Sequence, residues 1–201
     1  MAPAESYLDP VTAPSFDLSL RHEYDEWKAI LPDPFPYHGR NCYAYLLARY
    51  GKTTTFNAGD VDTFDFITVQ LYEGYSHMQF AVTVDRVSPS DALRQFCKSI
   101  TTEWQVDFST ALDLDFPEKR SITVAPTRLV VGLANGWAGD GKFLFLSSED
   151  IRAAYESLAA EESAPRGFAF WNILDEGRCS PQQPDKEVYL AKELNTFMHT
   201  R

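Results

Sequence analysis

Gln70 and Tyr72 are the pair of residues whose types and spacing most directly suggest chemistry. They lie within Val69-Gln70-Leu71-Tyr72-Glu73 and stand two apart, so in an extended strand both side chains point to the same side. An amide and a phenol side by side can bind a sugar amide or stabilise a developing charge. The plain alternative is that they are the ordinary polar end of a strand. Trp171, which ends Gly167-Phe168-Ala169-Phe170-Trp171, is a second candidate. A large indole at the end of a buried strand suits a hydrophobic floor for a pyranose ring, and it suits simple core packing equally well.

The other reactive residue types form weaker patterns. Asp113-Leu114-Asp115-Phe116-Pro117-Glu118 gathers three carboxylates, but Pro117 is unsuited to a central strand, and the segment reads as a solvated acidic loop. Glu5 reads as an exposed loop carboxylate. His22, His38, His77 and His199 have no nucleophile at a spacing that makes a triad, and His77 reads first as a loop-surface residue. Cys42, Cys97 and Cys179 are far apart without a C-x-x-C pair, which argues against a zinc site. Cys42 and Cys97 fall on apolar faces of expected helices and read as buried thiols.

The elements that must hold these residues alternate between strand and helix. Residues 1–8 could be a short strand. Helices are expected over 18–31, with Leu20, Tyr24, Trp27, Ile30 and Leu31 in phase, and over 39–50, with Cys42, Tyr45, Leu46 and Arg49 in phase and Gly51 as the stop. Phe64–Tyr72 is the clearest strand. Ser88-Pro89-Ser90-Asp91 starts a helix whose face runs through Leu93, Phe96, Cys97, Ile100 and Trp104. Residues 105–127 look irregular. Arg128–Leu133 is a continuous apolar run that suggests a strand buried on both faces. Ser147 to Asp150 caps a helix with Ile151, Ala154, Tyr155 and Leu158 inward. Gly167–Trp171 is a third strand, and a last helix starts near Asp185 with Leu190, Leu194 and Phe197 in phase.

Alternation with buried strands means parallel β/α units, three clear ones and a possible fourth at the start. A closed eight-unit barrel typically needs ~250 residues, and this chain has 201. The pattern therefore leaves two architectures, a small open α/β domain or part of a barrel. Apolar residues make up 44 %, as in a globular domain with a real core. The net charge of −11, with no run of Lys and Arg longer than two, excludes a phosphate backbone as partner. No apolar run approaches the ~20 residues of a membrane span. The start Met1-Ala2-Pro3-Ala4-Glu5 has neither the basic nor the apolar stretch of a secretory signal.

Four segments taken in order resemble glycoside hydrolase family 18, the chitinase-type (β/α)8 barrels. Met1-Ala2-Pro3 looks like that family's fifth strand, where a small residue followed by Pro lines the substrate groove. Phe64–Tyr72 looks like the sixth, with the family's Gln-x-Tyr pair as Gln70 and Tyr72. Leu129-Val130-Val131-Gly132-Leu133-Ala134 resembles the seventh strand, and Arg166–Trp171 the eighth, whose terminal Trp floors the central sugar subsite. The resemblance implies a partial TIM barrel, about strands five to eight with their helices, running through the whole of 1–201. It also implies a substrate built of N-acetylglucosamine, such as chitin, and no cofactor or metal. The family's chemistry is substrate-assisted: a protonated Glu gives its proton to the glycosidic oxygen, and the substrate's acetamide attacks the anomeric carbon. Tyr72 matches the residue that orients that acetamide. Gln70, Glu73, Trp171, Met1 and Ala2 match groove positions. Extracellular location follows from the family alone.

The acid Glu of the family closes a D-x-x-D-x-D-x-E motif at the end of the fourth strand, and this sequence carries no such motif. The carboxylates of 113–118 do not supply one: Thr110 stands where the first Asp belongs, the Glu comes one residue late, and the segment falls between the sixth and seventh strands. Two expectations follow. Either the chain is half of a chitinase whose N-terminal half lies upstream of Met1, or it is a barrel remnant that holds chito-oligosaccharides without cleaving them. In both, the open strand edges call for a missing N-terminal half or for self-association.

Overall fold

The computed structural model describes residues 1, 5–10, 14–17, 40–51, 54–56, 59–61, 63–74, 76–138 and 143–198. The expected helix over 18–31, together with Ala2, His22, His38 and His199, lies outside the described residues. The fold is mixed α/β, built on a three-stranded parallel sheet with helices.

In chain order the elements are α1 (Cys42–Tyr50), β1 (Thr54–Phe56), β2 (Gly59–Val61), β3 (Ile67–Gln70), α2 (His77–Thr83), α3 (Pro89–Thr101), β4 (Trp104–Asp107), β5 (Lys119–Ile122), β6 (Leu129–Ala134), α4 (Ser148–Ala160), β7 (Gly167–Trp171), β8 (Cys179–Ser180), β9 (Gln183–Glu187) and α5 (Leu190–Met198). The parallel sheet has the order β3-β6-β7. The strands β1 and β2, β4 and β5, and β8 and β9 form antiparallel pairs.

The register sorts the side chains of the parallel sheet into two faces. Ile67 pairs with Leu129, and Val131 with Phe168. That face is the core: Ile67, Val69, Leu71, Leu129, Val131 and Leu133 are buried. Phe168 lies 5.9 Å from Tyr155 of α4, whose ring also meets Phe197 of α5 at 5.6 Å. The opposite face carries Thr68, Gln70, Val130, Gly132, Ala169 and Trp171. Ala169 and Trp171 are exposed, while Thr68, Gln70 and Val130 are half-buried. The apolar run of β6 is therefore buried deeply on its helical side and only partly at Val130 on the other.

The helices form where periodicity and caps agree. Ser88 caps α3 through Asp91 N–H, Pro89 takes the first turn, and Leu93, Phe96, Cys97 and Ile100 are buried along one side. Burial pushes the Cys97 thiol up to about 12, so it is a protonated core residue. Ser147 caps α4 in the same way, with Ile151, Ala154 and Leu158 inward. Arg128 ties three segments together. Its Nε donates to the Phe64 carbonyl at 2.9 Å and its Nη1 to the Gly51 carbonyl at 3.1 Å, joining the end of α1 to the approach of β3 and the start of β6.

Several expectations are corrected. Residues Glu5–Tyr7 form a single 3-10 turn, not a strand, because Leu8 N–H and Asp9 N–H both return to the Glu5 carbonyl. The stretch 105–127 is irregular only in part: Trp104 leaves the α3 face to open β4, which pairs with β5 across the turns of 108–118. Asp185 lies in β9, and the last helix starts at Leu190. In α1 the buried residues are Ala44, Leu47 and Ala48, so the apolar phase is shifted and Cys42 is exposed. Glu5 is 1 % exposed, the reverse of a loop carboxylate. His77 opens α2 with its side chain mostly covered, its Nδ1 3.6 Å from Asp9 Oδ2.

Candidate functional site

Parallel strands of β/α units deliver their C-terminal ends to one edge, and here that edge collects the candidate residues. A cavity of about 340 Å³ is lined by Tyr72, Glu73, Trp137, Phe143, Trp171, Asn172 and Asp175. A smaller one of about 90 Å³ adjoins it, sharing Tyr72 and Trp171 and adding Gln70, Thr68, Gly132 and Ala169 from the open sheet face. Gln70 and Trp171, at the ends of the two strands that flank β6, and Tyr72 and Glu73, just past the end of β3, are thus gathered at one edge. Met1 is not among the lining residues of either cavity. Its carbonyl accepts the Thr68 N–H at 2.8 Å, which sets it along the side of β3 away from β6.

The walls of the larger cavity are aromatic. Tyr72 and Trp137 meet edge to face with centroids 6.2 Å apart, and Trp137 meets Phe143 at 5.1 Å. Trp171 is 62 % exposed, which sets aside core packing as its role: the indole faces open space. Its peptide bond to Asn172 is cis. The Trp171 carbonyl accepts the Asn135 N–H and the Trp137 indole N–H, so the turn after β6 is clamped to the end of β7. Asn135 Nδ2 donates to the Asn172 carbonyl at 2.6 Å in the same clamp.

Asp175 organises the other rim. It is 7 % exposed and accepts from Asn172 Nδ2 at 2.8 Å and from Arg178 Nη1 at 2.6 Å. The Asn172 side chain also accepts the Leu174 N–H, which closes a 3-10 turn over Ile173–Asp175. Ile173 and Leu174 are left exposed beside Trp171.

Trp137, Phe143, Asn172 and Asp175 were not identified from the sequence. The signal for Trp137 was present: it lies three residues past the last residue of β6, at the same edge as the two strand ends that were singled out. Asp175 carried no such signal, since its place rests on bonds to Asn172 and Arg178 that no motif in the sequence marks. The acidic stretch 113–118 stands apart. Asp113 is exposed and pairs with Arg40 at 2.7 Å, and none of Asp113, Asp115 and Glu118 lines either cavity. The Arg40 guanidinium holds the Asp113 carboxyl below its usual range.

The arrangement offers flat apolar faces beside carboxylates, an amide and a phenol. Rings stack on the apolar faces of a ligand while carboxylates accept from its hydroxyls or amides. Among the described residues there is no group of three or more His, Cys, Asp or Glu able to hold a metal ion, and no helix long and apolar enough to cross a membrane. No protein-family model and no curated protein matches the chain.

Proposed function

We propose that this chain binds chains of N-acetylglucosamine, as chitin or chito-oligosaccharides, through the aromatic cavity at the ends of β3 and β7. In this reading it corresponds to about strands five to eight of a family 18 glycoside hydrolase barrel. The observation that carries it is the meeting of Tyr72 and Trp171 in one cavity. Tyr72 lies just past the end of β3 and Trp171 ends β7, the two strands that flank β6, at the positions where the resemblance calls for the acetamide-orienting phenol and the floor of the central subsite. The parallel sense and the order β3-β6-β7 support it, as does the bond from Thr68 N–H to the Met1 carbonyl beside β3.

Hydrolysis is a separate matter. Substrate-assisted cleavage needs a proton donor at the glycosidic oxygen, a contribution of ~10²–10⁴-fold. Tyr72 and Trp171 hold no proton suited to that role, and the family's acid motif is absent. The chain by itself therefore acts as a binding module, and cleavage requires a segment that supplies the acid Glu. The test is calorimetric titration with chitotetraose and, in parallel, with cellotetraose, which lacks the acetamides. Saturable binding of the first, weaker binding of the second and no release of a chromogenic leaving group are expected. Equal affinity for both sugars, or none for either, overturns the sugar reading. Turnover at the rate of an intact chitinase overturns the binding-module reading.

The open sheet face leads to a second expectation. Strand β7 pairs with β6 on one side only among the described residues, and it presents Ala169 and Trp171 to solvent. Unpaired edges with apolar side chains template association. Size-exclusion chromatography of the chain alone is expected to give self-associated species, and β/α units that complete the barrel, added in trans, should convert them to a single complex. A compact monomer with one sharp unfolding transition would show that the sheet needs no such cover.

A further inference from the structure

A buried carboxyl pair outside the aromatic cavity joins the amino-terminal segment to the turn that carries Tyr72 and Glu73. Glu5 is fully buried and Asp9 is 5 % exposed. The 3-10 turn folds the chain so that Asp9 N–H reaches the Glu5 carbonyl at 2.7 Å, which brings the two side chains face to face in hydrogen-bond contact. Two carboxyl groups share a hydrogen bond only while one of them holds a proton. The Glu5 carboxyl also accepts the Met78 N–H, with its oxygens at 3.2 and 3.4 Å, and contacts the Ser76 hydroxyl. Ser76 in turn donates to the Leu71 carbonyl at 3.2 Å, and its N–H bonds the Glu73 carbonyl at 3.0 Å. A continuous set of hydrogen bonds therefore runs from Glu5 to both ends of the turn 71–76. The pair borders a cavity of about 430 Å³ that opens to solvent, so protons can enter and leave.

We propose that the Glu5–Asp9 pair is a proton-held latch: with one proton between them the amino-terminal segment docks on α2 and holds the Tyr72–Glu73 turn, and with both ionised the segment and the turn release together. Its direction follows from the groups present. Burial, then the Asp9 charge, push the Glu5 carboxyl well above its ordinary value of 4.5. The docked state thus binds more protons than the released one, so docking is complete below that ordinary value and is lost as pH rises through the raised one. His77 also faces the pair from the start of α2, its Nδ1 3.6 Å from Asp9 Oδ2. Asp85 adds a further negative charge on the cavity wall, and α3 contributes only the uncharged Gln95 and Ser99.

The latch does not depend on which ligand the aromatic cavity takes, and hydrogen exchange tests it on the whole chain. Exchange of peptides covering 1–10 and 71–83 is followed from pH 4.5 to 8 and corrected for the intrinsic rate. Both segments are expected to open together as pH rises, by up to about tenfold per pH unit, the slope of one linked proton. Glu5→Gln keeps a carbonyl for the Met78 N–H and cannot ionise, so it should stay closed across the range. Asp9→Asn removes the neighbouring charge and should shrink the change. A wild-type profile in Glu5→Gln, or opening of 1–10 while 71–83 stays flat, overturns the proposal. If Glu5→Gln is open at every pH, Asp9→Asn decides: an undiminished pH response there overturns it as well.

Discussion

Trp171→Ala is expected to weaken chitotetraose binding by about 30-fold or more while leaving the thermal transition of the protein almost unchanged. The two halves of this expectation have separate causes. The indole is 62 % exposed, so its removal uncovers little core. The structural work at this position is done by the main chain, since the Trp171 carbonyl receives the Asn135 and Trp137 N–H groups and survives the substitution. Binding has no such reserve. Trp residues at the centre of a contact typically cost 2 kcal/mol or more when truncated, roughly 30-fold in affinity. Trp137 remains in the cavity and still reports by fluorescence, so calorimetry is the deciding measurement. An unchanged titration removes Trp171 from the binding surface and with it the observation on which the proposed function stands.

Gly136→Ala should be the most damaging single-methyl change in the site. A Cβ at Gly136 falls 2.3 Å from the Arg178 carbonyl oxygen and 3.0 Å from its carbon, which are backbone atoms that no rotamer change can move. Relief requires the turn after β6 to separate from the segment leading into β8. That same turn holds Trp137 against the Trp171 carbonyl, and its Ala138 carbonyl accepts the Ser180 hydroxyl at 3.1 Å. Overpacking of this kind typically costs 1–3 kcal/mol, and the upper end is expected because both contacting groups are main chain. Gly167→Ala is the control. Its Cβ would meet nothing closer than the Met198 methyl at 3.7 Å, and loss of a glycine at a compatible position is worth about 0.4–1 kcal/mol in the other direction. Chemical denaturation of both variants, with near-ultraviolet circular dichroism to follow the Trp137 environment, separates them. Equal stability of the two would mean that the close approach of the turn after β6 to the Arg178 carbonyl is not formed in solution.

The amino-acid sequence by itself determined the elements whose signals are local. The strand expected over Phe64–Tyr72 and the helices begun by Ser88 and Ser147 are set by β-branched runs, caps and a 3.6-residue apolar period; both helices start where expected, and the strand forms over the shorter span Ile67–Gln70. It also determined that Gln70 and Tyr72 share a side of the chain and that Trp171 ends a strand, because strand alternation is a property of neighbouring residues. Tertiary structure decided the rest. Glu5, expected to be an exposed loop carboxylate, is buried because Asp9 and Met78, one near and one distant in sequence, supply its partners. The hairpin of β4 and β5 was illegible because each strand has only four residues and an eleven-residue connection rich in acids, so its pairing depends on Trp104, Val106 and Ile122 finding the core. Trp137 lies at the right edge by its spacing from β6, but its bond to the Trp171 carbonyl, 34 residues away, forms only when the turn after β6 packs against the end of β7. A site assembled across three parallel strands is fixed by which strand lies beside which, and that order is a property of the packed sheet rather than of any one stretch of the chain.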